Sequence, residues 1–424
     1  MMTRLEGSTG AIRGPLHGGA SRDRRSAARM EPRKALDLGE LLDVALTRAR
    51  RADFPDRSFI PSLERLIVAC SEEANLSPLG ARAVRFDILR CLRNQLRFDE
   101  LETRDPGMLT KSVEAPVFIT GMPRSGTTFL HRLILQDPNT IAPRLFQLVH
   151  PSVPKFGSIE TAVRKACLRL QLLLFRTIAR ELHVLHPIGV DDPEECTDIT
   201  AQVFRSGRFE SMYHVPSYNE WLHRVGFLDA YRFHRRFLQH LQWQEPPKRW
   251  ILKSPDHVFA LDDIRRIYPD AHFVLVHRDP VRVLASVAKL TEVLRRPFTH
   301  RIDRMEIGRS VSASWIDGSR RMAELSSTGC ALLHLHYRQV VSSPLEAVAA
   351  VYRHAGLTLT AQAEERMVRW LRTAAAASGR RREYSLTDFG LDARLLRDRF
   401  ARYTETFQVE IEQEGRPLHT GAPA

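Results

Sequence analysis

Phe118-Ile-Thr-Gly121-Met-Pro-Arg124-Ser125-Gly126-Thr127-Thr128-Phe-Leu130 is the stretch on which the fold turns. It continues a short apolar run, Ala115 to Thr120, whose β-forming residues suit a parallel strand covered on both faces. A glycine-containing loop follows at once, and then an amphipathic helix. Small residues let backbone N–H groups curl around an anion, and the helix N-terminus adds unsatisfied donors and a partial positive charge. Arg124 offers a forked cation there, and the hydroxyls of Ser125, Thr127 and Thr128 offer further donors.

Outward from this loop the pattern alternates. Arg249–Lys253, His272–His277 and Ala331–Tyr337 read as further strands, and Val258–Tyr268, Pro280–Leu294 and Pro344–Ala355 as helices. Such alternation predicts an α/β fold of three layers, a central parallel sheet flanked by helices with right-handed crossovers. Residues 35–110 read as a helical N-terminal segment and 111–410 as the α/β domain, with a helical insertion at about 150–245. The Gly-, Ser- and Arg-rich residues 1–34 read as disordered or as preceding a start at Met30, and 411–424 as a disordered tail.

Composition narrows the function classes. The chain has 424 residues and a formal charge of +13, which suits either nucleic acid or a polyanionic small ligand. No zinc-finger spacing, RNA-recognition signature or aromatic–basic interleaving favours nucleic acid. The five cysteines never form CxxC, which argues against a disulfide framework or a zinc site and for a reducing, cytoplasmic setting. The most hydrophobic run, Leu168–Ile178, is broken by Arg169 and Arg176 and is too short to span a bilayer. The loop keeps the GxxxxG spacing of a nucleotide-triphosphatase loop, but Thr127 stands where that motif has lysine. A kinase would also want a carboxylate for Mg²⁺; Asp279 is better explained as the N-cap before Pro280.

Pro123-Arg-Ser-Gly-Thr-Thr128 resembles the 5′-phosphosulfate loop of the sulfotransferase superfamily, in particular its bacterial branches. A second signature agrees: Phe273-Val-Leu-Val-His-Arg278 ends a strand in arginine, with Ser286 eight positions on, as in the family's 3′-phosphate site. The resemblance covers residues 115–390 or so and implies a P-loop-like fold and an enzyme that uses 3′-phosphoadenosine-5′-phosphosulfate as co-substrate, without a metal. By the same resemblance Pro123, Arg124, Ser125, Gly126, Thr127, Thr128, Arg278 and Ser286 hold the donor. Tyr337 contacts its adenosine, and Arg381 or Arg382 closes over the 3′-phosphate.

Arg124 and Lys253 are the expected catalytic cations, Lys253 standing at a strand end in a chain where lysine is scarce. The base is either His257 or the pair Glu194/Glu195; the position two beyond Lys253, where the cytosolic relatives keep histidine, is Pro255. Aromatic residues between Phe204 and Trp243 suggest a pocket for a bulky lipid, steroid, polyketide or sugar acceptor. A homodimer and peripheral membrane contact stay open. A P-loop kinase and a basic nucleic-acid-binding protein are the competing functions.

Overall fold

The structure, a computed structural model, describes residues 36–151, 159–178, 181, 188–243, 247–326, 331–377 and 384–412. The expected N-terminal disorder, Arg381, Arg382 and the tail beyond Glu412 lie outside the described residues. The chain opens with α1 (Leu38–Ala49), α2 (Ile60–Glu72) and α3 (Pro78–Arg104). Local chemistry sets their ends: Asp37 accepts the N–H of Glu40 at 2.8 Å, and Ser77 Oγ that of Gly80 at 2.9 Å just before Pro78.

Among the described residues five strands follow: β1 (Val117–Gly121), β2 (Thr140–Ile141), β3 (Arg249–Lys253), β4 (His272–His277) and β5 (Leu332–His336). All pairings are parallel and the order is β2-β3-β1-β4-β5, the expected sheet with one short edge strand added. Two residues carry too little pattern for β2 to be read from sequence. Between the strands and after them run α4 (Thr127–Ile134), α5 (Leu145–Val149), α6 (Ile159–Ile178), α7 (Thr197–Thr200), α8 (Arg208–Met212), α9 (Pro216–Val225), α10 (Leu228–Gln242), α11 (Leu261–Ile267), α12 (Pro280–Arg295), α13 (Arg304–Ser326), α14 (Tyr337–Ser342), α15 (Pro344–His354), α16 (Ala361–Ala377) and α17 (Ala393–Thr406).

The two-residue period of the strands divides the core in two. Val117, Ile119, Ile251, Val274 and Val276 pack against α4, α15 and α16 on one face. Phe118, Leu252, Phe273 and Leu275 join the other, larger core, which also takes in Leu41, Leu63 and Leu92 of the N-terminal helices. That larger core overturns one expectation. Phe204, Phe209, Tyr218, Tyr231 and Phe237 do not line a pocket; each is at most 3% exposed. Phe209, Tyr218, Tyr231 and Phe237 belong to helices α8–α10, whose apolar faces have to be covered, and Phe204 precedes them: Phe204 meets Phe59, just before α2, at 5.9 Å and Phe237 meets Phe98 of α3 at 5.4 Å.

At the far end of α12, Arg295 ties this helical layer together. Its guanidinium pairs with Glu210 at 2.8 Å and Glu306 at 2.7 Å, and also donates to the Glu210 carbonyl. The carboxylates of Glu210 and Glu306 and the ring of His214 are close enough to share a cation, but the arginine already neutralises the two acids. Arg295→Ala leaves both carboxylates partly buried without their partner. Thermal unfolding should show a loss of about 3–5 kcal/mol, far above that of an exposed pair.

Candidate active site

β1 is the middle strand, with β3 on one side and β4 on the other. The order of connections therefore reverses at its C-terminal end, where open parallel sheets leave a crevice. The loop fills that point. Gly121 adopts φ +134°, and a Cβ there would lie 2.3 Å from the carbonyl oxygen of Val276. Arg124 and Gly126 also take positive φ, 65° and 92°, which folds the loop back so that Gly126 caps α4. Ser125 is fully buried and its hydroxyl donates to the Met122 carbonyl at 2.6 Å, so it closes the turn from within. Thr127 is buried as well, whereas Arg124 and Thr128 face outward and Pro123 is half-buried.

On the β4 side, Arg278 continues the strand by one residue. Its Nη1 donates to the Arg124 carbonyl at 2.7 Å, and its guanidinium carbon lies 3.8 Å from the centroid of the Tyr337 ring. Tyr337 in turn closes on the loop, since a Cβ on Gly126 would meet its Cδ2 at 3.1 Å. The expected donor-site residues Arg124, Gly126, Arg278 and Tyr337 are thus in mutual contact. Ser286 lies half-buried on the second turn of α12. The remaining edge of Arg278 grips Glu412, Nε to Oε1 at 2.7 Å and Nη2 to Oε2 at 2.9 Å. Asp279 caps α12 by accepting from Val281 N–H at 3.0 Å and also accepts the Glu412 N–H at 2.9 Å.

On the β3 side, Lys253 is 2% exposed and its ammonium donates to Glu195 Oε1 at 2.5 Å. Glu195 sits on a strap, Val190–Cys196, whose backbone is tied at both ends. Phe146 N–H donates to the Val190 carbonyl and Glu194 N–H to that of Pro143, while Cys196 N–H donates to the Lys253 carbonyl. Glu194 is buried, and one of its oxygens accepts the N–H of Glu195. His257 is fully buried: its Nδ1 lies 2.6 Å from the Tyr231 hydroxyl and its ring packs edge-on to Phe118. Burial, chiefly, with the charges of His234 and Lys253, holds its basicity far below the ordinary histidine range.

Asp256, three residues beyond Lys253, carries no motif that marks it in the sequence. Its carboxyl is pushed up to about 7, first by burial and then by the nearby Glu195 charge, against a backbone N–H from Gly207 that favours the anion. The other unassigned residue is Glu412, which stands 134 positions from its partner Arg278 and carries no local signal.

Residues 116–361 match the family model described as Sulfotransferase family. The chain belongs to the sulfotransferase family. Among solved structures, the sulfotransferase STF9 from Mycobacterium avium superposes with a TM-score of 0.80 at 26% identity, over 89% of this chain and 98% of that one. STF1 from Mycobacterium tuberculosis gives 0.72 at 29% identity, over 86% and 98%. The omega-hydroxy-beta-dihydromenaquinone-9 sulfotransferase Stf3 of Mycobacterium bovis is 24% identical over 256 residues, 58% of this chain and 64% of that protein's length. The chain thus spans slightly less than two thirds of this curated relative. Within the family, the P-loop-like fold and the class of transferase are those expected from the loop.

Asp256 gives a stability test. Its folded pKa lies above its unfolded one, so its favourable contribution is complete below about pH 4 and is lost as pH rises to about 7. The isosteric Asp256→Asn variant does not titrate. Its melting temperature relative to the wild type should therefore rise by roughly a few degrees between these pH values and stay level above pH 7, as read by calorimetry across pH.

Proposed function

We propose that this sulfotransferase moves a sulfuryl group from 3′-phosphoadenosine-5′-phosphosulfate to a hydroxyl, or amine, of a lipid-like acceptor. The observation that carries the donor assignment is the grip of Arg278 on the Glu412 carboxylate. The guanidinium at the end of β4 is already shaped around an anion, and it stands beside the loop through the Arg124 carbonyl. A 3′-phosphate is the donor feature that this second anion station answers, and ATP lacks it. Asp279, the carboxylate a kinase would need for Mg²⁺, is engaged by the backbone of Val281 and Glu412 instead. The acceptor class follows the Mycobacterium bovis relative, whose name gives a hydroxylated menaquinone as its substrate.

In this scheme the loop N–H groups, the start of α4 and Arg124 hold the phosphosulfate, with Lys253 beside the oxygen that bridges phosphorus and sulfur. Glu195 takes the proton of the acceptor hydroxyl as its oxygen attacks sulfur. The new O–S bond forms while the bond from sulfur to the bridging oxygen breaks, and 3′,5′-adenosine bisphosphate leaves. Glu195 suits the base better than His257, which is sealed in the core, or Glu194, which is buried behind it. Without substrate, Lys253 and Glu195 neutralise each other at 2.5 Å; an acceptor hydroxyl and the bridging oxygen would separate their roles.

Calorimetry with 3′,5′-adenosine bisphosphate, against ATP with and without Mg²⁺, tests the donor. Micromolar, Mg²⁺-independent binding that Arg278→Ala weakens by at least about 30-fold is expected, the loss of a charged bidentate contact. Equal binding of ATP·Mg²⁺ would replace the sulfuryl donor with a nucleoside triphosphate. Glu412→Gln gives a second test. If the donor's phosphate must displace this carboxylate, the variant should bind the bisphosphate about 5–10-fold more tightly, with no gain for a nucleotide lacking the 3′-phosphate.

A further inference from the structure

Helix α6 wears its amphipathicity inside out. Over Ile159–Ile178 the apolar residues that face solvent are Ile159, Ala162, Val163, Ala166, Cys167, Leu170, Leu173 and Leu174, spaced so that they fall on one arc of the helix, with Thr177 exposed among them and Glu160 and Arg169 exposed at its edges. Ile159 is 84% exposed, and Val163, Leu170, Leu173 and Leu174 are each above half exposed. The opposite face is the mixed one. Leu168 and Leu172 pack on Phe146 and Val190, Phe175 reaches Val293 of α12, and Lys165 pairs with Asp191. Scattered exposed leucines are ordinary, but a continuous stripe along a helix about 30 Å long marks a surface that is covered in use.

We propose that this face of α6 lies in the headgroup region of an anionic lipid bilayer. Charge decides for lipid over a second copy of the chain. Arg164, Lys165, Arg169 and Arg176 stand against Glu160 within the helix, and Asp191 offsets one more, so the region around the stripe remains cationic. Lys165 and Arg169 recur at i and i+4 and so border one edge of the apolar arc, and Arg169 is 62% exposed. An apolar face with a basic border is the pattern of helices that lie in a membrane interface. Two copies of a chain carrying +13 would instead bring like charge to like. Among the described residues no helix is long and apolar enough to cross a membrane, so contact by this helix would be peripheral.

The position of α6 gives the contact a purpose. Its inner face rests on Phe146 and Val190, and Val190 begins the strap that delivers Glu195 to Lys253 five residues later. A bilayer seated on α6 would present a lipid hydroxyl near that strap. This part rests on the sulfotransfer reaction proposed above; the surface itself does not.

Sedimentation of the full chain with vesicles tests the surface without turnover. Binding to vesicles of equal parts phosphatidylglycerol and phosphatidylcholine is expected, with weaker binding to phosphatidylcholine alone. The double variant Leu170→Glu/Leu174→Glu should lower the partition coefficient at least about tenfold, while its binding of 3′,5′-adenosine bisphosphate stays unchanged. In a Cys330→Ser background, an environment-sensitive dye on exposed Cys167 should shift to the blue on the same vesicles; Cys70, Cys91 and Cys196 are buried. Wild-type protein that stays in the supernatant, or a variant that binds as well as wild type, overturns the proposal. So does a dimer in gel filtration that the double variant splits, which would make the stripe a self-interface. Loss of bisphosphate binding by the wild type with vesicle binding intact would instead sink the donor assignment and leave the surface standing.

Discussion

A side chain at Gly121 would run into the carbonyl oxygen of Val276, and this close approach of β1 to β4 governs the arrangement of the site. With the two strands in register from Val117↔His272 to Gly121↔Val276, the chain leaves the sheet at matched heights on both sides. The loop after β1 and Arg278 after β4 then have no choice but to meet, and they do so through the Arg124 carbonyl. β3 runs along the other edge of β1 with Ile119↔Lys253, which puts the ammonium at the base of the same crevice. Three separate segments of sequence converge because one backbone contact is too tight to admit anything but glycine.

The sheet was legible because buried parallel strands leave continuous apolar runs, and four of its five strands show one. The loop between β1 and α4 was legible because its small residues, arginine and following helix sit together in the chain. What sequence hid was direction and distance. The aromatic residues from Phe204 through α10 have the composition of a pocket, but nothing local says whether they turn toward a ligand or toward Phe59 and α3. The run in α6 likewise gave its hydrophobicity but not the side on which it lies. His257 and Glu195 are alike as candidate bases in the sequence, which does not show that His257 is buried in the core. Glu412 had no visible role because its partner is remote along the chain.

A common electrostatic device recurs around β1. Each cation that would serve a polyanionic donor is held ready by a carboxylate of the protein: Lys253 by Glu195 on one flank, Arg278 by Glu412 on the other. Partly buried cations without partners would be costly, and the internal acids remove that cost while keeping the guanidinium and the ammonium in place. Stacking on Tyr337 fixes the plane of Arg278 further. The site is thereby organised before any ligand arrives, and in the proposed reaction donor binding would exchange one anion for another.

The attachment of Glu412 also has a practical side. Its backbone is anchored to Asp279 and its carboxylate to Arg278, while Val409 just before it is buried in the large core. Glu412 is thus fixed at two points beside the loop that follows β1. A foreign segment inserted directly after Glu412 would load both of these contacts at once, and so disturb Arg278 and Asp279 together. Insertions that spare these contacts belong elsewhere, for example next to α1, which is held by its packing against α3 and is well removed in sequence from the loop after β1.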